Sequence, residues 1–321
     1  MLHTIGLLVV GGWGLEVAKS FATKESAGRV WLIAGLVAGL VLLGVAWFLR
    51  RRTRRNARVA IVVTAPDARR GMARALQLTQ QAENFAQATC SVTLKAEVPT
   101  SEGERPTKAV ITELADETLT AMSLAERLTP DATRFNLIPT MPLHAAFWFG
   151  MRLGHTHARD IRVYQVHQGN GDRVYFEATS LRAVQRRRSP LTVHPVTTLP
   201  EGDPATAALA LDLQGRGDGF VEAVKATCRD RGIGTLLVLQ SSGLVLDESP
   251  GKFGDVVAQV VQEWRAATLP PSARTGRHTV FLSGPVSISL ALGALFAAET
   301  GRWQPMTFDP ESGRYEELPQ Q

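Results

Sequence analysis

Residues 30–49, VWLIAGLVAGLVLLGVAWFL, hold no charged side chain and run directly into Arg50, Arg51, Arg52, Arg54 and Arg55. A helix of that length rises about 30 Å, the thickness of a bilayer's hydrocarbon core. Trp31 and Trp47 lie near its two ends, where indole rings favour the boundary between lipid and water. Gly35 and Gly39 are four apart and form a face on which a second helix can pack closely. A buried core helix is the competing reading, and the missing polar face and the arginine flank argue against it. The arginines place the downstream residues on the cytoplasmic side. Residues 5–15 are also apolar, but Glu16 and Lys19 break the apolar character beyond them. This stretch is either the first helix of a hairpin, about 3–21, or a helix lying in the interface, and the hairpin is preferred. A cleavable signal fits poorly, because the basic leading region is missing and the strongest apolar run comes late.

The remaining residues, 56–321, are long enough for one large or two ordinary domains. The pI of about 9.5 owes much to the arginines beside the apolar run, so attraction to anionic lipid explains it without nucleic acid. Cys90 and Cys228 stand far apart with no second cysteine nearby, which excludes a zinc knuckle or a disulfide framework and suits a reducing compartment.

From residue 203 onward the pattern alternates. Strands are predicted at 208–213, 235–240, 279–283 and 303–308, with helices at 220–231, 253–267 and 286–299. Apolar strands alternating with amphipathic helices indicate a parallel sheet covered on both faces. The first half opens similarly, with a strand at 58–64 and a helix at 68–81. Further strands are predicted at 91–98, 108–114, 135–138 and 161–166, with a helix from Pro142 to residue 153. The two halves repeat. Pro142 and Pro285 each open a helix after a strand, Gly150 and Gly293 follow eight residues later, and both pairs share an offset of 143. Arg159 and Arg302 keep that offset, and Tyr175 and Tyr315 close the halves after a turn. The domain reading is therefore 1–55 for the membrane region (helices about 3–21 and 30–49), 56–185 for the first α/β unit and 186–321 for the second.

Catalytic signatures are absent from the sequence: no phosphate-binding loop with lysine and Ser/Thr, no HExxH, no GxSxG and no CxxC. His155 and His157 have no acidic or cysteine neighbours to complete a metal site and read as loop histidines, so no metal and no catalytic residue are expected. What remains is binding chemistry. Ligands of open parallel sheets sit beyond the carboxyl ends of the strands, where helix N-termini attract phosphate. Five such ends carry small or polar residues. The candidate contacts are Thr64, Thr140, Pro142, His144, the backbone of Gly215 and Gly217 with Arg216 between them, Gln240, Ser241, Ser283, Gly284 and Ser287. Gln240 and Ser241 would read a base edge and Arg216 would pair with a phosphate. Two units side by side would form a composite crevice for a ligand with several phosphates.

The unit seen in NLIPTMPLHAAFWFGMRLG…IRVYQVH and again in HTVFLSGPVSISLALGALF…WQPMTFDPESGRY resembles the SAVED domain. The resemblance implies an α/β architecture of two fused CARF-like Rossmann units behind an N-terminal transmembrane helical hairpin. It implies a sensor of a cyclic oligonucleotide, a cyclic trinucleotide or dinucleotide made by a cognate nucleotidyltransferase, in the bacterial antiphage system CBASS. It further implies a protein of the inner membrane with its soluble domain in the cytoplasm and no enzymatic activity. Ligand-driven head-to-tail assembly would cluster the membrane helices, with Gly35 and Gly39 as packing contacts, and disrupt the bilayer. A membrane-tethered enzyme that cleaves its own ligand, and a scaffold that binds no nucleotide, are the alternatives.

Overall fold

Two sheets with the same strand order account for the body of this protein. The computed structural model describes residues 37–49, 58–66, 72–98, 105–129, 134–154, 159–167, 175–181, 188–241, 246, 248, 251–299, 302–309 and 313–320. The chain divides into two compact units, Met1–Ala57 and Arg58–Gln321. In the first, helix α1 covers residues 37–49. Its Gly39 is buried, while Val37, Leu40, Val41, Leu42, Trp47 and Phe48 are exposed. Among the described residues no helix is long and apolar enough to cross a membrane. The rest of the 30–49 run, the 3–21 helix, Trp31, Gly35 and the arginine cluster lie outside the described residues.

The second unit begins with β1 (Arg58–Thr64), α2 (Met72–Thr89), β2 (Val92–Glu97), α3 (Lys108–Leu128), β3 (Arg134–Thr140), α4 (Leu143–Leu153), β4 (Asp160–Val166) and β5 (Tyr175–Ser180). These strands form a sheet of order β2-β1-β3-β4-β5, parallel except for β5. Next come β6 (Leu191–Val193), β7 (Thr197–Thr198), β8 (Asp203–Asp212), α5 (Asp218–Asp230), β9 (Ile233–Ser241), α6 (Lys252–Ala266) and α7 (Pro271–Thr275). The chain closes with β10 (Arg277–Ser283), α8 (Val286–Phe296), β11 (Arg302–Asp309) and β12 (Arg314–Glu317). Here the order is β12-β11-β10-β8-β9-β6, again parallel through β11, β10, β8 and β9. Matching β1 to β8 and β3 to β10 reproduces the first sheet strand for strand, with β6 and β7 added beyond β9. β1 is buried almost throughout and β8 over its last six residues, as strands covered on two faces must be.

Three sequence expectations change. Residues 108–114 open helix α3 rather than forming a strand. Thr107 caps it by accepting from the Val110 N–H, and Ile111, Leu114, Ala115, Thr118, Met122 and Ala125 repeat at helical spacing on its buried side. The helix expected at 68–81 runs instead over Met72–Thr89. The third concerns the repeat. Arg277 pairs with Arg302 as Arg134 pairs with Asp160, so the counterpart of Arg302 is Asp160 and not Arg159. Arg159 instead holds Glu126, Nε to Oε1 2.7 Å.

The halves meet through α4 and α8, which run side by side in the same sense. Ser289 Oγ donates to the Leu143 carbonyl near their N-termini at 2.6 Å. Near their C-termini a Cβ placed on Gly154 would lie 2.5 Å from the Ala297 Cβ. At the centre the repeat explains itself. A Cβ on Gly150 would fall 2.0 Å from the Leu290 carbonyl oxygen, and a Cβ on Gly293 would fall 2.0 Å from the Phe147 carbonyl oxygen. Only glycine admits such backbone contact. Phe147 and Leu290, again 143 apart, exchange places: Phe147 enters the second half's core and Leu290 the first half's. Phe147 meets Phe296 and Trp303 there, with ring centres 6.3 and 5.8 Å away.

His278 packs edge-on against Trp264 and Trp303, and its Nε2 bonds the Ala273 carbonyl at 2.7 Å. Burial holds its pKa below the ordinary imidazole value. The unfolded chain therefore takes up this proton more readily than the folded one, and stability falls as pH drops through about 6.5. Urea melts at pH 7.5 and 5.5 should show that loss, and His278→Phe should reduce it. For the helix crossing, Gly150→Ala should cost about 3 kcal/mol or more in urea unfolding. Gly219→Ala, where the added methyl meets nothing within 4 Å, should change stability by no more than about 1 kcal/mol.

Candidate functional site

Because α4 and α8 run in the same sense, the strands that feed them, β3 and β10, end on the same side of the molecule. That side gathers the carboxyl ends of β1 and β8 as well. Thr64 and Thr140 lie in register, and the Ala65 N–H donates to the Thr140 carbonyl at 3.0 Å. Asp212 and Ser283 hold the same positions in the second half, where the Leu213 N–H donates to the Ser283 carbonyl at 2.7 Å. Pro142 and Pro285 then cap the two helices in extended conformation, and neither proline offers a side-chain hydrogen bond to the helix it opens. Two positive helix ends are thus placed next to each other at the junction of the halves.

Of the predicted contacts, Thr140, Pro142, Ser283 and Gly284 come together here, with Thr64 beside Thr140. Thr64 Oγ1 lies 3.4 Å from Thr79 Oγ1, and Ser283 Oγ donates to Gln214 Oε1 at 3.2 Å. Gly284 has its own constraint, since a Cβ would lie 2.8 Å from the Leu213 Cβ. His144 and Ser287 occupy matching places in the first helical turns and are buried at 2% and 0% exposure. Their side chains are interior groups, as are those of Thr64 and Ser283 at 1% and 4% exposure. Ser287 donates through both N–H and Oγ to Gln165 Oε1, at 3.2 and 2.6 Å, and so ties α8 to β4.

The glycine turn is corrected too. Gly215 and Gly217 have positive φ, 65° and 63°, which wraps the backbone around the fully buried Asp212 carboxylate. Asp212 Oδ1 accepts from the N–H groups of Gln214 and Arg216 at 3.3 and 3.0 Å, and Oδ2 accepts from that of Gly217 at 2.7 Å. Of the two glycine amides expected to hold a phosphate, that of Gly217 already holds a carboxylate. The Arg216 side chain remains exposed on this loop. Gln240 and Ser241 sit at the end of β9 beneath β6, and Gln240 Oε1 is 2.6 Å from His194 Nε2. Residues 67–71, 99–104, 168–174, 242–245 and 310–312, which come after β1, β2, β4, β9 and β11, lie outside the described residues, as do His155 and His157.

Sequence reasoning missed Asp212, Gln214 and Gln165. Asp212 had a readable signal: an aspartate ending a strand five residues before a glycine is suited to cap the intervening turn with its own carboxylate. Among the described residues no group of three or more His, Cys, Asp and Glu could hold a metal. Burial pushes the Cys228 thiol up to about 12, leaving it protonated and unreactive at neutral pH.

No protein-family model matches this chain, and no curated protein does. Solved structures do. A Cap4 SAVED/CARF-domain containing receptor of Acinetobacter baumannii, solved with the cyclic trinucleotide 3′3′3′-cAAA, superposes with a TM-score of 0.55 at 11% identity. The match covers 91% of this chain and 59% of that receptor. The same receptor with 2′3′3′-cAAA gives a TM-score of 0.51 at 11% identity and the same coverage. This chain shares the fold of these receptors over that match. It spans about three-fifths of the length of the receptors it matches.

Asp212→Ala should cost about 3 kcal/mol in urea unfolding, since it strips a buried charge-assisted cap from three backbone donors.

Proposed function

We propose that this chain is a receptor for a cyclic oligonucleotide, a cyclic trinucleotide in the first instance, seated where α4 and α8 begin. One observation carries the reading: two helix N-termini, each opened by a proline that offers no side-chain cap, lie side by side at the carboxyl ends of two like sheets. Such a pair offers positive potential to at least two phosphates at once. The fold it shares with receptors solved holding cAAA supports the same ligand class. Thr140 and Ser283, at matching positions on the two halves, would contact phosphate or ribose, and Arg216 would reach in from the rim.

In this reading the protein acts in antiphage defence without consuming its ligand, which a cognate nucleotidyltransferase supplies. Residues 1–55 anchor it in the bacterial inner membrane, with the body in the cytoplasm. The uncharged 30–49 run and its arginine flank support that placement. Ligand-driven head-to-tail assembly would then raise the local concentration of the membrane helices, a gain that needs no new chemistry.

The test uses the full chain in detergent, titrated with cyclic di-, tri- and tetranucleotides and recovered for ligand analysis. One ring should bind, be recovered intact and raise the melting temperature. Thr140→Glu, which sets a carboxylate at the helix ends, should weaken it at least about tenfold while leaving the unliganded melting temperature unchanged. Binding by no ring in the panel would defeat the reading, and linear products would replace it with a ligand-degrading enzyme. In reconstituted vesicles, dye release should require the ligand that binds.

A further inference from the structure

The two halves differ most at the opposite end of their sheets. In the first sheet Arg58, Arg134 and Asp160 share a row near the amino ends of the strands. Asp160 neutralises both neighbouring arginines, with Arg162 Nε at 2.8 Å and Arg134 Nε at 3.4 Å. Glu177 on β5 accepts from Arg162 at 2.8 Å. The corresponding row of the second sheet is Thr206, Arg277 and Arg302. The position of the neutralising aspartate is therefore an arginine. Glu317, the counterpart of Glu177, is engaged by Arg231. Arg277 and Arg302 are exposed on adjacent strands, and neither has a carboxylate partner among the described residues.

The strand edge differs as well. β5 pairs with β4 down to Arg162, and the Leu181 N–H extends the ladder to the Ile161 carbonyl. β12 reaches only Met306, so among the described residues the Arg302–Pro305 stretch of β11 has no strand on that side. A cleft of about 940 Å³ opens there, bounded by the N-terminus of α3, by Trp148 and Met151 of α4 and by the two arginines. Lys108 joins them. Its Nζ donates to Gln304 Oε1 at 2.6 Å and sits 5.0 Å from the centre of the Trp148 ring. Half-burial lowers the pKa of this ammonium although Glu317, which also lines the cleft, favours its charged form.

We propose that this cleft is a second ligand site, separate from the crevice at the carboxyl ends, and that it binds a phosphate-bearing molecule between Arg277, Arg302 and Lys108. Paired guanidiniums match phosphate oxygens through forked hydrogen bonds, and the ammonium adds a point charge. Trp148 and Met151 give one wall an apolar surface for the rest of the ligand. The same phosphate chemistry occurs on a free nucleotide and on a phospholipid headgroup.

The full chain in detergent, titrated calorimetrically with ATP and separately with short-chain phosphatidylglycerol, distinguishes the two sources. ATP binding alone assigns a soluble phosphate compound, phosphatidylglycerol binding alone assigns a headgroup, and either result supports the site. Arg302→Asp restores the first half's arrangement by giving Arg277 an acidic partner. It should preserve the melting temperature and weaken the bound probe at least about tenfold. Cyclic oligonucleotide binding, at the other end of the strands, should be unaffected, so the two sites fail independently. Binding of neither probe by the unaltered chain, or equal binding by Arg302→Asp, would overturn the proposal.

Discussion

The contact between α4 and α8 sets the geometry of everything else in the body. Gly150 lies against the backbone of Leu290, and Gly293 against that of Phe147. At that separation the helices exchange side chains, each sending one large apolar group into the other half's core. Neither half therefore has a complete core alone. The same contact holds the two helices in one sense, which brings their N-termini together at the carboxyl ends of both sheets. A methyl group at either glycine would push the two helices, and with them the two cores, apart.

Duplication explains the common frame, and divergence explains its uses. At the carboxyl ends the halves keep the same backbone hydrogen bonds but differ in charge. Thr64 occupies in the first half the place where Asp212 folds a glycine turn around itself in the second. At the amino ends the difference reverses: the first sheet neutralises its arginines internally, while the second leaves them facing a cleft. Exposed ion pairs add little stability, so exchanging one for a binding surface costs the fold little. Fixed charges at the two ends of one parallel sheet give the body two positive surfaces of different origin, one from helix dipoles and one from side chains.

Much of the fold was legible because parallel strands and amphipathic helices write different periods into the chain. The pairs Pro142–Pro285 and Gly150–Gly293 pointed to the duplication before any coordinate did. Residues 108–114 were misread because a short apolar run fits either period locally. Only the longer spacing through Met122 and Ala125 shows the helix. Arg159 and Arg302 matched by number and not by place, since the connection before β4 differs in length by one residue from that before β11. The candidate site was legible only in outline. Thr140, Ser283 and the two prolines sit where strand-end logic put them. His144 and Ser287 do not reach the surface: both are buried, and Ser287 is turned to Gln165 on β4.

What the sequence determined by itself was the division into an uncharged segment with an arginine flank and a duplicated α/β body, since hydropathy and periodicity are local properties of neighbouring residues. What the tertiary structure alone decided was which polar groups are spent on the fold. The amides of Arg216 and Gly217 serve Asp212, the hydroxyl of Ser287 serves Gln165, and Arg277 faces Arg302 where its counterpart Arg134 faces a carboxylate. Hydrogen bonds and charges act over a few ångströms in space, and only folding fixes which residues are brought that close.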